Sequence, residues 1–573
     1  MHRRGLILTG VPVLALFFFV GCSDNPPEDF DILIRNGTIV DGTGNPSFQG
    51  DVGIVGDTIV EIGDLARRGA LKTIDATGLV VSPGFIDVHT HADGDLGRPG
   101  SNANLNYLSQ GVTTVVTGNC GSGTFEIAKT KADWEARGIG TNVVHLVGFG
   151  DVRKAVMGVE PREAEPEELE QMRSILRKAM NEGAWGMSTG LEYIPDRYAT
   201  TEEIIEVAKV VAEFEGVYAS HQRNEFDRAP ESTRETVRIA EEAGVRAITS
   251  HVKVCRKNAW GMMAEVVDII NDARARGIRI VADMYPYHFA SGGPILPIAR
   301  NAGWAPFHLP NDMEPFAELR ARLSEGNLSD AEEKALRKDY VDELAKALSD
   351  DSKRQQIRQS VLEGTPHRPS SVALAGWDSY LVVLADKNAH LIGEILSDIA
   401  EDEGRDPFDV AAELVIQEPD LYVACGVMSE DDMRRVMDQE WLMFSSDGDA
   451  VPIVEETDPP VIAHPRAFGS QARVLRKYVR EEKVLTLENA IRKMTSLPAQ
   501  SLQMKGRGLL ANGYKADLVI FDPETVGDLS THDDAHRYST GTDTVIVGGK
   551  TNIEGGEYTG TLNGKLLLLT ENQ

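Results

Sequence analysis

Basic residues are scarce in this chain: 58 Lys and Arg stand against 89 Asp and Glu, a formal net charge of −31 at pH 7. A surface of that sign repels phosphates, which excludes nucleic acid as a partner and argues against adsorption to anionic lipid headgroups. Cysteine is scarce too. Only Cys22, Cys120, Cys255 and Cys425 occur. With Cys22 set aside as part of a targeting segment, three remain, an odd number that does not fit a disulfide framework. Long apolar runs are also missing, with one exception at residues 5–20, which is short of the roughly 20 residues a comfortable membrane span needs. The rest of the composition is that of a globular enzyme, since 42% hydrophobic and 26% charged residues rule out wholesale disorder. At 573 residues the chain exceeds one simple core, so one large domain, one small domain and some insertions are expected.

The apolar run follows His2, Arg3 and Arg4 and ends in Phe19-Val20-Gly21-Cys22. This resembles a bacterial lipoprotein signal, in which the cysteine is lipidated and becomes the new N-terminus; Phe19 stands where Leu is usual. The segment 1–22 is therefore expected to be a signal peptide ending at Cys22, and 23–29 a tether. The catalytic part is expected in the cell envelope, lipid-anchored on a periplasmic or extracellular face, with no other membrane contact.

Beyond the tether, residues 30–82 read as short strands punctuated by Gly, Asn and Asp, and 501–573 repeat that texture. Two β segments flanking an α/β middle predict one small β-sandwich domain made from both ends of the mature chain. Residues 83–500 alternate short apolar strands with amphipathic helices. Strands are expected at 84–89, 112–117, 143–148, 184–189, 216–220, 246–250, 279–283, 421–424 and 441–445, and helices at 167–182, 201–215, 231–243 and 262–275. Repeated β-α-β units predict a parallel sheet, and about eight of them a TIM (β/α)8 barrel. Nine strand candidates are one too many, so at least one is accessory or misread. Residues from about 301 to 368 are rich in charge, break the rhythm, and read either as an inserted lid or as a solvated excursion.

Residues able to do chemistry sit at the ends of the expected strands, where barrel enzymes place their active sites. The first strand ends Asp87-Val88-His89-Thr90-His91. Strand residues two apart point the same way, so His89 and His91 can share one divalent ion. The second strand ends Gly118-Asn119-Cys120-Gly121, a setting that lets a thiolate approach a metal. Two later strands end in Ser220-His221 and Ser250-His251. Cys120, His221 and His251 offer three N/S ligands with a position left for water, the usual arrangement of a catalytic zinc. The last strand ends Ser446-Asp447-Gly448-Asp449. Asp447 is the candidate catalytic carboxylate, against the plainer reading of an aspartate that stabilises a turn.

These motifs resemble the D-aminoacylase, or N-acyl-D-amino-acid deacylase, branch of the amidohydrolase superfamily. The resemblance runs from about Phe30 to Lys550. Its most specific pieces are His89 and His91, the run 111–121, Ser250-His251-Val252-Lys253, Tyr285-Pro286-Tyr287, Ser446-Asp447-Gly448, His464-Pro465-Arg466 and the run 488–499. Many amidohydrolases bridge two metals with a carboxylated Lys or a Glu on the fourth strand. Here that strand reads Trp185-Gly186-Met187-Ser188-Thr189-Gly190 with Glu192 beyond its end, and Cys120 is the natural substitute. The resemblance implies a distorted barrel, a tight zinc on Cys120, His221 and His251, and a second, weaker divalent site using His89 and His91. It also implies that Lys253, a tyrosine (Tyr285 or Tyr287) and Arg466 hold the substrate carboxylate. The implied reaction is hydrolysis of the amide in an N-acyl-D-amino acid or D-dipeptide. Two rivals are a cyclic amidohydrolase of the hydantoinase or dihydroorotase kind, and a tethered binding lipoprotein without catalysis.

Overall fold

The computed structural model describes residues 28–572, apart from 99, 291, 297–304, 308, 311–312, 324–327, 366–367, 453–463 and 533. The signal segment with Cys22 and most of the tether lie outside the described residues. Among the described residues no helix is long and apolar enough to cross a membrane.

The two ends of the described residues meet in one β domain, as expected. Strands Glu28–Ile39, Phe48–Val55, Thr58–Gly63, Gly69–Asp75 and Val80–Pro83 share a nine-stranded sheet with Leu518–Phe521, Thr542–Val547, Lys550–Glu554 and Glu557–Tyr558. The join is Val80–Pro83, which pairs in parallel with the first strand (Thr38 with Val80) and antiparallel with Leu518–Phe521 (Val519 with Ser82). The first strand is buried on both faces. Ile32 and Ile34 enter a core with Val52, Ile54, Leu518 and Ile546, while Leu33 meets Phe30 and Leu65.

The middle is a ring of eight parallel strands: β1 (Phe85–Asp87), β2 (Val112–Thr117), β3 (Asn142–His145 continued by Val147–Gly148), β4 (Gly186–Gly190), β5 (Val217–His221), β6 (Arg246–Thr249), β7 (Ile280–Met284) and β8 (Leu442–Phe444). Neighbours pair in parallel in that order. The interruption at Leu146 distorts β3. Between β8 and β1 the ring closes only beyond the strand ends, through a parallel bridge between Thr90 and Gly448. There His91 N donates to Gly448 O at 2.7 Å and Asp447 N to His89 O at 2.8 Å. The seam thus ties together three residues that carry the candidate chemistry.

Four helices cover the β4–β7 side: α1 (Pro166–Asn181), α2 (Thr201–Glu213), α3 (Ala229–Ala243) and α4 (Met263–Ala275). Each keeps an apolar stripe inward, as in α2, where Ile204, Val207, Ala208 and Val211 are buried at helical spacing.

The expected strand at 421–424 is not part of the barrel. It forms Tyr422–Cys425, the middle strand of a small antiparallel sheet between Gly292–Pro294 and Tyr380–Leu384. Its apolar run matches a buried barrel strand in length and composition, so periodicity alone does not separate the two. Within 301–368 the described residues form mainly helices, Asp330–Ser349 and Asp351–Glu363 the longest. Tyr340 packs edge-on to Phe316, and Phe307 stacks on Phe408.

Candidate metal centre

The ends of the barrel strands converge on a cavity of about 230 Å³ lined by His91, Cys120, His221, His251, Asp447 and Arg466, among others. Three of these residues hold a left-handed backbone, Cys120 at φ 53°, His251 at 34° and Asp447 at 51°. Such conformations cost free energy in a non-glycine residue and persist where the surroundings over-determine them. The chain after Cys120 shows how tightly it is held. A Cβ on Gly121 would lie 2.2 Å from Asp196 Oδ2, so only glycine fits beside the thiol.

Two groups of ligand atoms share Cys120. In the first, Cys120 Sγ is 3.7 Å from His221 Nδ1 and 3.4 Å from His251 Nε2, and the two nitrogens are 3.0 Å apart. A tetrahedral zinc with Zn–N near 2.05 Å and Zn–S near 2.3 Å needs its ligand atoms roughly 3.3–3.6 Å apart. The three separations, from 3.0 to 3.7 Å, bracket that range. In the second group, His89 Nε2 is 3.3 Å from Cys120 Sγ and 3.4 Å from Asp447 Oδ1, and His91 Nε2 is 3.1 Å from the same carboxylate oxygen.

The electrostatics agree with the donor set. Burial alone would lower the histidine pKa values and raise that of Cys120. Against that burial, Asp447 and Cys120 push His91 up to about 10, and Glu225 with Cys120 does the same for His221. The charges of Cys120 and Asp283 raise His89, while His89 and His251 pull Cys120 far below an ordinary thiol. A low-pKa thiol beside imidazoles is a donor set whose protons a divalent cation can replace.

Two carboxylates stand behind the first group, and sequence reading assigns no role to either. His221 Nε2 lies 3.2 Å from Glu192 Oε2, and His251 Nδ1 lies 3.0 Å from Glu225 Oε1. Lys253 Nζ is 2.7 Å from Glu225 Oε2 and 2.6 Å from His251 Nδ1. An ammonium only donates, so His251 Nδ1 has a donor, Lys253, on one side and an acceptor, Glu225, on the other, and Glu225 is the acceptor within reach of both groups. Glu192 does not take the bridging place of a fourth-strand carboxylate, because it groups with His221 and Glu225 and not with Cys120. A lone charged residue just after the uncharged run 186–191 is the one signal in the sequence that points to it.

The remaining expected residues share the cavity. Arg466 Nη1 lies 2.6 Å from Asp447 Oδ2, and Arg466 and Lys253 both approach the ring of Tyr285, at 4.8 and 5.6 Å from its centroid. Burial is the leading cause of a depressed pKa for a cation and a raised one for a carboxylate, yet Asp447 is held well below an ordinary carboxylate by Arg466 and His251. Of the two tyrosines, Tyr285 lines the cavity and its buried hydroxyl has no hydrogen-bond partner among the described residues. Tyr287 instead donates to Pro465 O at 3.4 Å. The wall is completed by apolar and small groups, including Phe226, Cys255, Ala290, Cys425 and Gly426, and no described residue of 301–368 contributes to it.

Comparison with known proteins matches residues 72–327 and 433–553 to the amidohydrolase family. The D-aminoacylase of Alcaligenes xylosoxydans xylosoxydans is 31% identical, over 96% of this chain and 99% of its own. A solved D-aminoacylase, studied for its binuclear metal centre, superposes with a TM-score of 0.70 at 30% identity, covering 94% of this chain and all of the other. So does the N-acyl-D-glutamate deacylase of Bordetella bronchiseptica, solved with zinc and a phosphonate that mimics the tetrahedral intermediate, at a TM-score of 0.70 and 28% identity over 94% and 100% of the two chains.

Proposed function

Because the chain belongs to the amidohydrolase family, in its N-acyl-D-amino-acid deacylase branch, we propose that it hydrolyses the amide of N-acyl-D-amino acids with zinc held by Cys120, His221 and His251. A second, weaker divalent ion would use His89 and His91. The observation that carries this reading is a single cavity holding the thiolate–imidazole set, Asp447, and the group Lys253, Tyr285 and Arg466.

Bound there, zinc supplies a Lewis acid that brings the pKa of water toward about 7 and polarises the scissile carbonyl. Asp447 Oδ1 accepts the proton of the attacking water and passes it to the leaving nitrogen, first as general base and then as general acid. The products are a carboxylate and a free D-amino acid. Lys253 and Arg466 supply charge for the substrate carboxylate, and the hydroxyl of Tyr285, without a hydrogen-bond partner among the described residues, supplies a donor. Holding the carboxylate at one end and the carbonyl at the other fixes which face of the amide is attacked, and the preference for one hand follows. Cys22, acylated, would tether the enzyme to a membrane of the cell envelope.

The test is turnover of N-acetyl amino acids and dipeptides in both chiral forms by the zinc-loaded protein. Amine release from the D members alone is expected. Silence across the panel with zinc bound overturns the reading, in favour of a cyclic amide substrate or a binding protein without catalysis.

A further inference from the structure

The tight-site histidines are each held from behind by a buried glutamate, and neither glutamate is explained by a structural ion pair alone. The Glu192 side chain is 1% exposed. Its Oε2 faces His221 Nε2 at 3.2 Å, its Oε1 accepts from Glu225 N at 3.1 Å, and among the described residues no Lys or Arg forms an ion pair with it. A buried carboxylate without a cation is costly. The group able to offset that cost is His221, and it does so best when the imidazole carries positive charge or is bound to a cation. Glu225 sits between two nitrogens, with one oxygen on His251 Nδ1 and the other on Lys253 Nζ. The two imidazoles use opposite nitrogens toward Cys120, Nδ1 in His221 and Nε2 in His251. Each glutamate meets the nitrogen that faces away from the thiol. That arrangement fixes the tautomer and the ring plane of His221, and at His251 it sets Glu225 as the acceptor against the Lys253 ammonium, which lies 2.6 Å from the same nitrogen.

We propose that Glu192 and Glu225 are positioning residues of the metal centre: Glu192 orients His221 for metal through Nδ1, and Glu225 orients His251 for metal through Nε2 while holding Lys253 beside it. This rests on the metal reading above and extends it to two side chains of the cavity wall that stand behind the proposed ligands.

The test is zinc affinity, measured on the purified full-length protein by competition with a chromophoric chelator, without substrate. Glu192→Gln and Glu225→Gln keep the volume and remove the charge. Each is expected to weaken zinc binding about 10- to 100-fold, the usual cost of losing such a partner, and to shift the visible absorption of the cobalt-substituted protein. Glu192→Asp and Glu225→Asp restore the charge and should recover part of the affinity. Glu203→Gln is the control: it removes an equally buried glutamate that pairs with Arg153 at 3.1 Å, and should lower the melting temperature while leaving zinc affinity unchanged. Wild-type affinity in both Gln variants, or an equal loss in Glu203→Gln, overturns the proposal. Should a Gln variant not fold, its Asp counterpart decides: an intermediate affinity supports the role, and an unchanged one removes it. Because the readout contains no substrate, a silent chiral panel would sink the proposed reaction and leave this result standing.

Discussion

The two halves of the centre are built from similar ligands and held in different ways. On the Cys120 side, His221 and His251 are each backed by a glutamate within 3.2 Å. On the seam side, His89 Nδ1 has no hydrogen-bond partner among the described residues, and its nearest carboxylate, Asp283, is 3.8 Å away. What His89 and His91 share instead is Asp447, the proposed base. One half is therefore oriented before any ion arrives. The other half is oriented by a group that must also move protons. That difference gives a physical reason why the proposed Cys120-side site would be the tighter of the two, independent of ligand type.

The largest effect should come from Asp447→Asn. The change removes the proposed proton acceptor and the carboxylate that His89 and His91 share, but leaves the carboxylates behind His221 and His251 in place. Turnover should fall by about 10³-fold or more, as expected for loss of a general base, while one tight zinc is retained. Loss of that zinc together with activity, measured by metal analysis after gel filtration, would show that the halves do not bind independently.

Cys120→Ala tests the same comparison from the shared atom. Cys120 belongs to both ligand groups, so its loss should strip the tight ion and disable the seam side together. The expected fall in zinc affinity exceeds the roughly 100-fold typical of a partner that only orients a ligand. Full zinc occupancy in the variant would reduce Cys120 to a packed thiol.

How much of this was legible in the sequence depends on where each residue stands relative to a strand. His89, His91, Cys120, His221, His251 and Asp447 lie at strand ends, and alternation plus strand order brings them together. The ninth strand candidate fails because a short apolar run carries no mark of which sheet it joins; Tyr422–Cys425 pairs antiparallel outside the ring. Glu192 and Glu225 lie in loops after β4 and β5, where no period fixes direction. Their roles emerge only from the nitrogens they meet. The choice between Tyr285 and Tyr287 likewise turns on a contact, the bond from Tyr287 to Pro465, that sequence spacing does not contain.

The smallest effect should be that of Asp283→Asn, and it separates orientation from mere proximity. Asp283 Oδ1 accepts from His251 N at 3.0 Å and from Ser445 Oγ at 2.7 Å, so its work is to tie β6, β7 and β8 together. At 3.8 Å from His89 Nδ1 it is beyond hydrogen-bond reach and cannot set that ring as Glu225 sets His251. Asparagine keeps an oxygen for both existing bonds. Zinc affinity at the tight site should therefore change less than about 10-fold, below the lower bound expected for an orienting carboxylate, with a modest drop in melting temperature. A loss as large as that of Glu225→Gln would mean that charge near an imidazole is enough and that the hydrogen bond adds nothing. The contrast between the two halves would then lie in the number of nearby charges and not in how the rings are held.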